Sequence, residues 1–219
     1  MSTAVATETR RYTPEDLLAM PDGKSYELVR GRLVERNMGA ESSEVGGNLY
    51  FHLRLFCREH DLGIVWPADN GYQCFPHAPG LVRKPDVSFI RRGRLPGDVS
   101  PVGWVKIPPD LAVEVVSPGD AAEDLEEKLD DYRRAGVPLV WVIYPKARKA
   151  KVLRRGGTSA ELSEDDDLSG EEIIPGFRCP LREILPRPAR AAETPAQPVD
   201  PLIADDRPRS SPAKSTPSA

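Results

Sequence analysis

The sequence has 219 residues, 39% of them hydrophobic and 29% charged, with a formal net charge of −4. That suffices for one full core, is short for two, and is too acidic for a protein that coats nucleic acid through bulk electrostatics. No run is apolar for long enough to span a bilayer, and the opening MSTAVATETRRYTPEDLL lacks a secretory apolar stretch, so a cytoplasmic protein with no membrane partner is expected.

Cys57, Cys74 and Cys179 are odd in number and widely spaced, which speaks against a disulfide framework or a thiolate zinc site and for reduced core residues. Residues 1–10 carry no periodicity and are expected to be disordered. From Arg187 the chain turns Pro-, Ala- and Ser-rich, so 187–219 is expected to be a disordered tail around a folded domain at 11–186.

The domain opens on Thr13-Pro14-Glu15-Asp16, with Thr13 placed to cap a short helix and Pro14 at its first position. YELVRGRLVER at 26–36 reads as a hairpin turning at Arg30-Gly31, with Glu27 and Val29 on one face. Val45, Leu49, Leu53 and Phe56 recur at helical spacing, which predicts a helix over 42–59, with Gly46-Gly47 offering a close packing point. Strands are predicted at 64–67, 72–75, 86–90, 111–117, 139–144 and 150–154.

A helix at 120–135 should run from Asp120, with Glu123 as a capping-box partner, to a glycine stop at Gly136. The strands on either side of it are almost continuously apolar, as strands buried on both faces are. A mixed α/β sheet flanked by helices, with an additional N-terminal β-hairpin, is the expected architecture. The acidic run at 161–172 reads as an exposed loop, and LREIL at 181–185 closes the domain.

The chemistry starts from Glu114, a carboxylate centred in LAVEVVS among apolar neighbours. An ionised carboxylate buried without a partner costs several kcal/mol, so it calls for a cation. Asp86 follows Pro85 at the start of DVSFI and, taken alone, reads as a turn or strand-capping aspartate.

Lys128 falls on the stripe of Leu125, Leu129 and Tyr132, where it either faces the carboxylates or runs its stem along the stripe and pairs locally with Asp124. Glu27, Asp86, Glu114 and Lys128 together offer three hard oxygen donors and one cation, which suits Mg²⁺ or Mn²⁺ and phosphodiester hydrolysis. Arg83, Lys84, Arg91 and Arg92 form one local basic patch, and Lys146 to Arg155 another; each is either a nucleic-acid contact or a solvated strand edge. His52, His60 and His77 have no ligand spacing with one another.

The segments YELVRGRLVE (26–35), RKPDVSFI (83–90), LAVEVVSPGD (111–120), EEKLDDYRRAGVPLVWVIYP (126–145) and IIPGFRCPLREIL (173–185), in this order, resemble the Uma-two restriction-endonuclease family of the PD-(D/E)XK nuclease superfamily, over about 12–186. The resemblance implies a restriction-endonuclease-like fold and a Mg²⁺- or Mn²⁺-dependent endonuclease acting on DNA. It makes Asp86 the aspartate of the PD element, Glu114 the second acid, Glu27 an accessory carboxylate and metal ligand, Lys128 the catalytic lysine and Tyr132 an accessory residue. A homodimer would go with it.

The superfamily's lysine stands two residues after the acid, where this chain has Val116, and similar proteins carry it on the following helix. Relatives also have a histidine near the start of the long N-terminal helix, where this chain reads ESSEVGGN. Two other readings stay open: a catalytically weak or inactive nuclease-fold module for nucleic-acid or protein interaction, and a phosphoesterase for small substrates, for which no Gly-rich phosphate loop is present.

Overall fold

Sequence periodicity translates into a sheet with helices on both faces. The computed structural model describes residues 10–36 and 39–187, and the first compact unit ends at Pro186. The expectations for the N-terminal segment and the tail fall, Arg10 and Arg187 apart, outside the described residues.

The chain begins with α1 (Pro14–Ala19), the hairpin β1 (Tyr26–Val29) and β2 (Arg32–Glu35), and the long helix α2 (Ala40–Glu59). Then come β3 (Gly63–Pro67), β4 (Val87–Arg91), β5 (Leu111–Val115), α3 (Ala122–Ala135) and β6 (Leu139–Tyr144). β7 (Lys149–Arg154), β8 (Ser159–Ser163), β9 (Asp167–Ser169), β10 (Arg178–Pro180) and α4 (Leu181–Ile184) complete it. No described helix is long and apolar enough to cross a membrane.

Thr13 caps α1 as its sequence suggests: its hydroxyl accepts from the Asp16 amide at 3.1 Å and its own amide donates to the Asp16 carboxylate at 2.9 Å. Arg30 and Gly31, with φ of 51° and 77°, make the two-residue turn between β1 and β2, a backbone hand that matches strand twist and that glycine adopts without penalty.

The central sheet runs β3-β4-β5-β6-β7-β8, antiparallel except for β5 and β6, which are parallel and joined through α3. A parallel pair requires such a crossover. Alternation along these strands decides what each face carries. Leu111, Val113 and Val115 with Leu139, Trp141 and Ile143 pack on Val45, Leu49 and Leu53 of α2. Ala112, Val140 and Val142 turn to the other face, onto Leu129 and Tyr132 of α3. Each Val, Leu or Ile among them contributes about 1.5–3 kcal/mol when fully buried. Glu114 falls on the α3 face, and Asp86, immediately before β4, is drawn to its neighbourhood by two bonds to β5, its amide donating to the Val113 carbonyl at 2.9 Å and its Oδ2 accepting from the Val115 amide at 2.7 Å.

Three local expectations are corrected. The segment 72–75 is not a strand: Tyr72 bridges singly to Arg83 and to Val105, and the chain turns at Pro76, while Cys74 and Phe75 pack as core. The acidic run at 161–172 is not a loop, because β8 pairs with β7 as an edge strand and β9 with β10. Ala160 and Leu162 point inward there and the charges outward, a period-two pattern that the acidic composition hides.

Helix α3 starts at Ala122 with no side-chain cap, because Asp120 instead accepts from the Ser117 amide at 2.7 Å and closes the preceding turn. Its C-terminal stop at Gly136, with φ 79°, is as expected. The three cysteines are free and buried.

Candidate active site

The start of β4, the end of β5 and the inner face of α3 meet in a cleft of about 100 Å³ whose walls include Arg36, Asp86, Glu114, Asp120, Asp124 and Lys128. The carboxylates enter it from the sheet and the ammonium from the helix.

Glu114 is 4% exposed. Its Oε1 accepts from the Tyr132 hydroxyl at 2.6 Å and its Oε2 from Lys128 Nζ at 3.1 Å. Burial, with Asp86 and Glu27 adding to it against Lys128 and Tyr132, lifts the carboxyl to about 7. Asp86 is bound on both oxygens, Oδ1 by Arg36 at 3.0 Å and Oδ2 by the Val115 amide at 2.7 Å, and burial raises it too.

Glu27 is 2% exposed and lines the inner wall of the cleft. Its Oε1 accepts from the Lys84 amide at 2.7 Å and lies 3.3 Å from Lys128 Nζ, and its Oε2 accepts from Arg83 at 3.1 Å. Burial pushes its carboxyl up, yet Lys128, Arg83 and the Lys84 amide together hold it below the ordinary value. For Lys128, burial is outweighed by Glu114, Glu27 and Asp86, so the ammonium stays protonated well past its usual range.

Lys128 therefore faces the carboxylates instead of running out along its stripe. Glu27, Asp86, Glu114, Lys128 and Tyr132, all sequence candidates, meet here. Among the described residues, however, Glu27, Asp86 and Glu114 do not form a triad with ligand atoms within 4.8 Å of one another. Asp86 and Glu114, both in the cleft wall, are hard oxygen donors whose ionisation burial disfavours, and their chemistry suits a divalent cation. Glu27, with both oxygens already held by three donors, faces Lys128 and Arg83 instead.

The basic patch is corrected. Arg83 is 3% exposed and Lys84 1%, so neither presents a surface to a nucleic acid. Arg83 is spent on Glu27 and Asp131, and Lys84 Nζ donates to the Gly23 carbonyl at 2.7 Å beneath the Trp104 ring. Arg91 and Arg92 are exposed, but they lie at the far end of β4, about 16 Å along the strand from Asp86. Arg92 there pairs with Asp61.

Two residues at the site are not sequence candidates. Arg36, at the end of β2, reads as an ordinary strand-end arginine, and only the fold carries it to Asp86. Asp131 is hidden in the acidic run of α3, although its place three residues after Lys128 puts it on the same inward stripe. A separate trio, His52, Cys179 and Glu183, brings donor atoms within 4.8 Å of one another on α2, β10 and α4, away from the cleft walls.

The segment from residue 14 to residue 182 matches the family Uma2, described as "Putative restriction endonuclease". The chain belongs to the Uma2 family. The Uma2 match spans every element from α1 through β10 and so contains the whole cleft. No curated protein matches the chain. Among solved structures it is similar to a "putative nuclease belonging to DUF820" from Anabaena variabilis, with a TM-score of 0.65 and 15% identity over 78% of this chain and 96% of that one. That likeness fixes the fold, and the Uma2 domain is accordingly a mixed sheet of nuclease type flanked by helices, with an N-terminal hairpin.

Proposed function

We propose that the cleft hydrolyses phosphodiester bonds of DNA as a divalent-metal-dependent endonuclease, with Mg²⁺ as the ion and Mn²⁺ able to replace it. The observation that carries this is the Lys128 ammonium, 3.1 Å from Glu114 in a cleft lined by both Asp86 and Glu114. Family membership supports the same chemistry.

Asp86 and Glu114 would hold the ion, which when bound supplies Lewis acidity and charge neutralisation toward a phosphate. Each carboxylate oxygen already accepts one bond and has a lone pair left for a cation. The remaining work belongs to the chain. Lys128, being protonated, does not abstract a proton; it donates to the attacking water or to a non-bridging phosphate oxygen and stabilises the charge that develops there. Glu27 fixes where that ammonium points, and Tyr132 fixes Glu114. Arg36 neutralises Asp86 from the side of the hairpin.

The alternative, a weak or inactive nuclease-fold module, draws on the burial of Arg83 and Lys84, which removes two cations from the surface that would meet DNA. Nicking of supercoiled DNA in Mg²⁺ or Mn²⁺, compared with Asp86→Ala and Lys128→Ala, decides between the two. Cleavage by the parent that both substitutions abolish supports the endonuclease, whereas cleavage surviving both sinks the assignment. A homodimer offering one cleft to each strand, in the cytoplasm, completes the proposal and is read by sedimentation.

A further inference from the structure

A lysine carried on a strand inherits its position from hydrogen-bond register, but one carried on a helix does not, because helix and sheet meet only through side chains. Lys128 needs something to set α3 in place, and a line of buried charges runs from the inner wall of the cleft to that helix. The Arg83 backbone is clamped by Tyr72, amide to carbonyl in both directions at 2.8 and 3.1 Å. From that fixed point the guanidinium reaches two ways. Its Nε and one terminal nitrogen donate to Asp131 Oδ2 at 2.9 and 2.7 Å, and the other terminal nitrogen donates to Glu27 Oε2 at 3.1 Å.

Asp131 is on α3, three residues from Lys128, and Glu27 is on β1, 3.3 Å from the ammonium. His77 closes the outer end, with Nε2 at 2.9 Å from Asp131 Oδ1. Arg83 and Asp131 are 3% and 7% exposed, so solvent does not dilute the arrangement.

Building on the endonuclease proposal, we infer that Arg83 and Asp131 are positioning residues for Lys128: the planar Arg83 fork ties α3 to β1 through Asp131 and Glu27, and so sets where the ammonium stands in the cleft. Neither residue touches the reacting atoms. A guanidinium suits the task because its donors diverge in one rigid plane, which a lysine cannot reproduce.

The test combines steady-state kinetics with a structure. Asp131→Asn keeps the shape but removes the charge that locks the fork; its melting curve first establishes that it folds, and Arg83→Lys replaces it if it does not. The expected result is a kcat about 100-fold lower, with KM for DNA changed less than about twofold, as misplacement of a catalytic group without loss of substrate contact gives. A folded Asp131→Asn variant whose kcat stays within about twofold of the parent's, or whose loss lies in KM instead, overturns the inference.

A crystal structure of Asp131→Asn is read whether or not the parent cleaves DNA. Displacement of Lys128 Nζ from Glu27 supports the positioning role even if the parent proves inert, an outcome that would sink only the endonuclease proposal. Lys128 unmoved at 3.3 Å overturns the positioning role alone.

Discussion

Lys128 Nζ lies between Glu114 Oε2, at 3.1 Å, and Glu27 Oε1, at 3.3 Å, so one ammonium from α3 balances carboxylates from β5 and β1. Removing it leaves two buried carboxylates without that partner. Lys128→Met should therefore abolish metal-dependent cleavage and also lower the unfolding free energy, by about 3–5 kcal/mol as for a broken buried pair. Urea denaturation beside the nicking assay reads both; unchanged stability would show that the ammonium does not compensate these acids.

Glu114→Gln separates function from folding in the opposite sense. The folded carboxyl sits at about 7, above the unfolded value of 4.5, so the folded state binds the extra proton between these limits. The contribution of this group to stability is full below about pH 4.5 and is lost as pH rises through 7. In metal-free buffer, Glu114→Gln should thus gain on the parent with rising pH, by up to about 3 kcal/mol from the size of the shift. Cleavage should be lost at every pH. A stability difference flat from pH 4.5 to 8 would contradict the assignment.

Tyr132→Phe deletes the hydroxyl 2.6 Å from Glu114 Oε1 and little else, because the ring stays in the core beside Leu129. Leaving a buried carboxylate oxygen short of a donor costs about 1–3 kcal/mol. The expected outcome is a folded protein of lower melting temperature with reduced kcat. Activity and melting temperature both equal to the parent's would remove Tyr132 from the site.

Alkaline pH gives a prediction independent of the cleft. Burial pushes the thiols of Cys57, Cys74 and Cys179 up to about 12 from 9.0. Their folded values are raised, so their contribution is intact below pH 9 and lost as pH climbs toward 12. Stability should fall steeply above pH 9, and iodoacetamide should label the native protein at pH 8 far more slowly than the urea-unfolded chain. Rapid labelling of all three thiols in the native state would contradict their burial.

The strands and helices around the cleft were legible because β5 and β6 are apolar without interruption and α3 has a clear inner stripe. Glu114 announced itself as a charge in such a strand. Asp86 did not, since its role comes from bonds to Val113 and Val115 of β5 that no local pattern encodes. Arg83 and Lys84 misled for the same reason: a basic pair beside a strand looks like surface, and only long-range contacts with Glu27, Asp131 and Gly23 bury it. The edge strand β8 was concealed by its charges, which occupy just the solvent side of its alternation.

The separation of acids and lysine onto different kinds of element has a thermal consequence. Glu114 rides on β5 and Asp86 is bonded to it, both tied to a six-stranded sheet, whereas the ammonium rides on a helix docked on that sheet through side chains. Such a helix can open locally on warming while the sheet stays intact. The protein should then pass through a state that still captures ions but has lost its power to cut, so that inactivation by heat precedes melting and reverses on cooling.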